Sequence, residues 1–360
     1  MLRVTPNALL LCCAPLVACA HLVAPERGGP QWIQVTTENF VVRTELGEDA
    51  ARQFVSQLQS IQAAFALAGF GVAVPASART HLVVFLNAGE LKELTGRPRS
   101  EQIEFRDPDG VIQQTTSMEV SPGDNASLLA ALAYGMPEPF EKPLPAWVRV
   151  GTAEFVSSAE VSSESLRIDG HSALGELDTK YFPQHTDLVR NHSPQLRSWD
   201  SGAWLLVHYL RHTYPEGFTR FLRDLALGTS EQAAFAAAFD WVSNEDLDAR
   251  LDQYAKDLPS ANQSVQLQPY KGMTRVEPLS AAEVHALWAE LFLYSQAFNV
   301  GKTEAARLRQ REDDELAVAR SLDPDAVGLR VVEAAPARLS ATARLAPRSS
   351  PRRAPVAALA

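Results

Sequence analysis

Between Glu48 and Ala68 the apolar residues Phe54, Leu58, Ile61, Phe65 and Ala68 recur every three or four positions. That spacing lines one face of an α-helix, and Gly69 and Gly71 end it. Before it, Trp32 to Thr44 reads WIQVTTENFVVRT, a strand-like stretch rich in β-branched and aromatic residues. His81 to Leu86 is a continuous apolar run of strand length, as expected of a central strand buried on both faces. A short helix is predicted over Ala88 to Leu94. Residues 95–123 lose the helical period, and the turn signals at Pro98, Asp107 to Gly110 and Pro122-Gly123 leave Val111 to Val120 as a hairpin or edge strand. Helices are predicted from Asn125 to Gly135, with Asp124 or Asn125 as N-cap, and from Ala146 to Ser158, separated by Pro137, Pro139, Pro143 and Pro145.

From Ser198 to Leu258 the pattern is nearly all helical. Trp199, Ala203, Leu206 and Leu210 form one stripe, and Phe218, Phe221, Leu222 and Leu225 another. Residues 259–279, with Pro259, Pro269, Gly272 and Pro278, read as a linker, and Ala281 to Phe298 with Thr303 to Leu322 as a helical hairpin. Residues 334–360 carry five Arg, four Pro and no acid. The expected fold class is α+β: a domain over 32–258 (sheet-bearing 32–123, helices 124–160, helical subdomain 198–258), a linker at 259–279, a hairpin at 280–324 and a disordered basic tail at 325–360.

Composition narrows the function. The chain has 360 residues, 46% apolar, with 33 Lys plus Arg against 43 Asp plus Glu, a formal net charge of −10. Enough apolar surface exists for a large core, and the acidic balance argues against a general nucleic-acid binder. The three cysteines are Cys12, Cys13 and Cys19, so the rest of the chain has no disulfide and no Cys-based zinc site. Arg3 and the apolar stretch Ala8 to Val17 read as an export signal over 1–18. Leu16-Val17-Ala18-Cys19 resembles the lipobox of bacterial lipoproteins. The resemblance implies cleavage before Cys19, lipidation of its sulfur, and a membrane-anchored protein facing the periplasm or cell surface, with 19–31 as its tether.

Leu144 to Phe155, LPAWVRVGTAEF, is similar to the P-x-W-x-x-E-G-x-A-E-[FY] helix of gluzincin-like bacterial peptidases, the "peptidase MA"-type domains. Pro145, Trp147, Gly151, Ala153, Glu154 and Phe155 match. The strand-like opening at Trp32, the apolar strand at His81, the helix from Ser198 to Leu210 and the segment Gly228 to Phe239 follow the family's order, and together cover roughly 32–258. The hairpin resembles a tetratricopeptide-type unit of the kind appended to this family.

The resemblance implies a zinc site built by HExxH, two His four apart on a helix with a Glu as general base, completed by a downstream Glu. Here those positions hold Leu129, Ala130, Ala133 and Val150. The loss does not depend on register. No His lies between His81 and His171, and no His in the chain is followed by Glu. The expected protein is therefore a non-catalytic zincin-like lipoprotein without a cofactor, holding a peptide or protein partner in the former substrate cleft. The alternative is an active zinc hydrolase using an unrecognised site. His208 and His212, spaced i, i+4, are its candidate ligands, with Glu216 near in sequence. A loop-rich cluster of His171, His185 and His192 matches no metal template. No nucleotide-binding glycine loop and no G-x-S-x-G elbow occurs.

Overall fold

The computed structural model describes residues 22–71, 79–86, 88–95, 104–106, 112–117, 126–136, 144–168, 199–240, 244–259, 263–296 and 301–333. Cys19, the histidines from His171 to His192 and the basic stretch 334–360 lie outside them.

The opening segment forms two antiparallel strands, β1 (Ile33–Thr36) and β2 (Phe40–Thr44). Thr37 makes the turn: its amide donates to the Phe40 carbonyl at 2.9 Å, and its hydroxyl oxygen accepts from the Phe40 amide at 3.1 Å. The helix α1 (Glu48–Phe70) follows, then β3 (Thr80–Phe85), α2 (Ala88–Thr95), β4 (Glu104–Arg106) and β5 (Ile112–Ser117). With β9 (Arg275–Pro278) these strands build a six-stranded sheet in the order β4-β5-β3-β2-β1-β9. β3 runs parallel to both β2 and β5, and the other pairs are antiparallel.

Both faces of β3 are buried, which is why its sequence is apolar without alternation. Leu82 and Val84 join one core with Val35, Phe40 and Val42 and the α1 stripe Phe54, Leu58, Ile61 and Phe65. Val83 and Phe85 join a second core on the opposite face with Trp32 and the helix α9 (Ala281–Gln296). Burying each such side chain contributes roughly 1.5–3 kcal/mol.

The first face is thickened by α3 (Ala126–Tyr134), α4 (Ala146–Ser157), α5 (Trp199–Thr213), α6 (Pro215–Ala226), α7 (Glu231–Ala238) and α8 (Asn244–Lys256). A small antiparallel sheet of β6 (Glu160–Val161), β7 (Ser165–Ile168) and β8 (Gln263–Gln266) closes its edge through Leu166 and Val265. On the second face α9 is covered in turn by α10 (Lys302–Leu322) and a short helix at 327–333.

Four expected segments turn out differently. Residues 259–279 are no free linker. Their polar stretches are strands β8 and β9, recruited by β7 and β1 rather than by any apolar pattern of their own. Residues 22–31 do not run as a free tether. Ala24 is buried, Pro25–Arg27 form a 3₁₀ turn closed by Gly28 at φ +87°, and Gln31 Nε2 donates to the Leu279 carbonyl at 2.8 Å. The tail does not begin at 325, because Ala326, Leu329 and Val332 are buried against α9. The hairpin α9–α10 is likewise part of the main fold, as the cover of the sheet's second face. No helix among the described residues is long and apolar enough to cross a membrane.

Candidate functional site

The motif helix α4 starts after Pro145, whose missing amide hydrogen costs nothing at a helix start. It lies among α1, α3 and α5, and so is buried on most of its circumference. Trp147 stacks on Phe221 of α6 at a centroid distance of 5.6 Å and meets the edge of Phe235 of α7 at 6.3 Å. Its indole nitrogen donates to Glu231 Oε1 at 2.8 Å. Gly151 allows α5 to approach: a Cβ there would lie 2.3 Å from the Ala203 carbonyl oxygen and 2.6 Å from Val207 Cγ2. Ala153 is buried in the same core. Phe155 packs edge-on to His208 at 5.8 Å, and the Arg211 guanidinium sits 5.1 Å from its ring centre. Glu154 is only 3% exposed, and Tyr134 of α3 donates its hydroxyl hydrogen to Glu154 Oε1. Each residue of this motif from Trp147 onward that matches the peptidase pattern thus has a packing or hydrogen-bonding task in the helix layer.

Leu129, Ala130 and Ala133 lie on α3 and Val150 on α4. Leu129 is 3% exposed and Ala133 2%, both within the main core. Val150 packs partly buried against that core, and Ala130 is half-buried. None has a side-chain donor to offer a metal.

His208 and His212 project from α5. His208 is 1% exposed, its ring 5.0 Å from Trp204, and its Nδ1 lies 2.8 Å from the Tyr254 hydroxyl on α8. His212 is exposed, its ring 6.2 Å from that of His208. No group of three His, Cys, Asp or Glu side chains that could hold a metal occurs among the described residues. The surroundings of this pair are aromatic. Tyr209 meets Tyr254 at 5.0 Å, and its hydroxyl lies 3.3 Å from that of Tyr214. Burial first, and Tyr214 second, push the Tyr209 phenol up to about 12. Burial also pushes the Tyr254 phenol up, with Tyr209 adding to it.

No protein-family model matches this chain, and no curated protein is significantly similar to it.

Two charged arrangements carry no sequence motif. Arg211 of α5 donates to the Gly69 carbonyl at 2.6 Å and to the Ala68 carbonyl, capping the C-terminal end of α1, where the helix dipole is negative. Burial draws its pKa down to about 10. His285 of α9, 2% exposed, lies between two carboxylates: Nδ1 meets Glu315 of α10, and Nε2 is 3.1 Å from Glu26 Oε1 in the 3₁₀ turn. Burial alone would lower the His285 pKa. The hydrogen bonds to Glu315 and Glu26 outweigh it and hold the imidazole above its ordinary value. Glu26 and His285 are 259 positions apart, so only the tertiary fold brings them together. The one local signal was a histidine in the apolar run Val284 to Leu287.

Proposed function

We propose that this chain is a non-catalytic, zincin-like extracytoplasmic lipoprotein that binds a peptide or protein partner in the cleft that the zinc peptidases it resembles use for substrate. The observation that carries the reading is the division within α3 and α4. From Trp147 onward the motif residues that build the frame are kept and buried, while the zinc-ligand positions Leu129 and Ala133 are filled with core side chains. A cleft shaped by backbone and packing survives the loss of a metal, because neither needs it. In this reading α9 and α10 are a tetratricopeptide-like unit whose inner face covers the sheet, leaving the outer face of α10 as interaction surface.

Lipidation at Cys19 fits the docked N-terminal segment. The Leu22 amide donates to Glu93 Oε2 at 3.3 Å. Three residues of chain reach at most about 11 Å, so an anchor at Cys19 holds the body close to the bilayer.

The test is a zinc assay and a casein proteolysis assay on the purified chain, with fractionation of Cys19→Ser. The reading expects no stoichiometric zinc, no turnover, and release of the serine variant from membranes. Zinc at one per chain, lost on His208→Ala, overturns the non-catalytic reading. A wild type that stays soluble overturns the anchor.

A further inference from the structure

The N-terminal segment 22–31 crosses the second-face layer as a strap. It touches α2 through Leu22 and Glu93, and β9's continuation through Gln31 and Leu279. Its centre is held at Glu26, by Nε2 of His285. Beneath it lies a cavity of about 300 Å³, whose walls include Leu22 and Ala24 of the strap, Leu94 of α2, and Trp288 and Phe292 of α9.

The latch has one requirement. An imidazole carries hydrogen on both nitrogens only when protonated. In that state His285 donates to Glu315 and Glu26 at once. A neutral ring keeps one hydrogen, so one carboxylate then faces a bare nitrogen lone pair in a buried setting, which is repulsive.

We propose that residues 22–31 form a lid over this cavity, latched by the doubly hydrogen-bonded His285, and that loss of the His285 proton releases it. The charged groups around the latch are few. Arg27 of the strap lies 3.5 Å from Glu26 Oε1. On α10, Asp314, Glu315 and Arg311 line the same cavity, and Arg311 Nη2 is 3.5 Å from Glu93 Oε1 of α2. Arg311 is thus paired with α2, and the Trp288 ring 5.4 Å from His285 adds no charge.

The sign follows from the raised His285 pKa. The latch is at full strength below the ordinary histidine value of about 6.5 and weakens as pH rises through the folded-state value. It stands whether or not Cys19 carries lipid.

Hydrogen exchange on the full chain tests it, with rates normalised to the unstructured rate at each pH from 6 to 9. The reporters are the Arg27, Gly28 and Gly29 amides, which bond to the Ala24 and Pro25 carbonyls. Protection of these amides is expected to drop at least tenfold across that range while α1 amides are unchanged. Glu26→Gln, in a surface turn, is expected to remove the pH dependence without unfolding α9 and α10, and His285→Leu to leave the strap unprotected throughout. Flat strap protection in the wild type, or full pH dependence retained in Glu26→Gln, overturns the proposal.

Discussion

Tyr134 on α3 donates its hydroxyl hydrogen to the carboxylate of Glu154 on α4, tying the two helices together. The carboxylate is almost fully buried, so losing this donor is costly. Tyr134→Phe removes the bond and keeps the ring, and should lower unfolding free energy by about 1.5–3 kcal/mol. Urea denaturation should show the lower midpoint with an unchanged slope.

At Gly151 α4 approaches α5 too closely to admit a Cβ. A methyl group there meets backbone, which cannot swing aside. Gly151→Ala should destabilise by at least about 1–3 kcal/mol, the usual cost of overpacking, although alanine is the better helix former. A thermal midpoint equal to or above wild type would show that the two helices have room to separate.

Tyr209 ionises late because burial and Tyr214 disfavour its phenolate. The unfolded chain releases that proton near pH 10, the folded chain near 12. Stability supplied by the raised pKa is complete below about pH 10 and is lost as pH climbs through the folded-state value. Phenolate absorbance should show Tyr209 and Tyr254 titrating above the ordinary tyrosine value of about 10, and together with loss of the far-ultraviolet helix signal. Normal titration of all tyrosines in the folded chain would contradict this packing.

Much of the architecture is legible in the sequence. The α1 stripe from Phe54 to Phe65 is buried as its spacing demanded, and the apolar run at His81 is a central strand. The missed parts depend on partners remote in sequence. Gln263–Gln266 and Arg275–Pro278 have too little apolar character to announce strands, and they pair because β7 and β1 present free edges. The role of α9 was implicit in β3, since a strand apolar on both faces needs a second covering layer. Of the candidate site, the burial of Leu129 and Ala133 follows from their residue types. The Arg211 cap on α1 and the His285 contacts do not, because their partners are carbonyls and carboxylates 30 to 259 positions away.

The proposed function rests on reading the α3–α4 pair as the frame of a zinc peptidase whose ligand positions are filled by packing. The most direct measurement is zinc content after restoring them together: Leu129→His, Ala130→Glu, Ala133→His and Val150→Glu. The account predicts that the wild-type chain purifies without zinc and that the folded fourfold variant takes up one zinc per chain. A folded variant that binds none, or a wild type already carrying one, would contradict it.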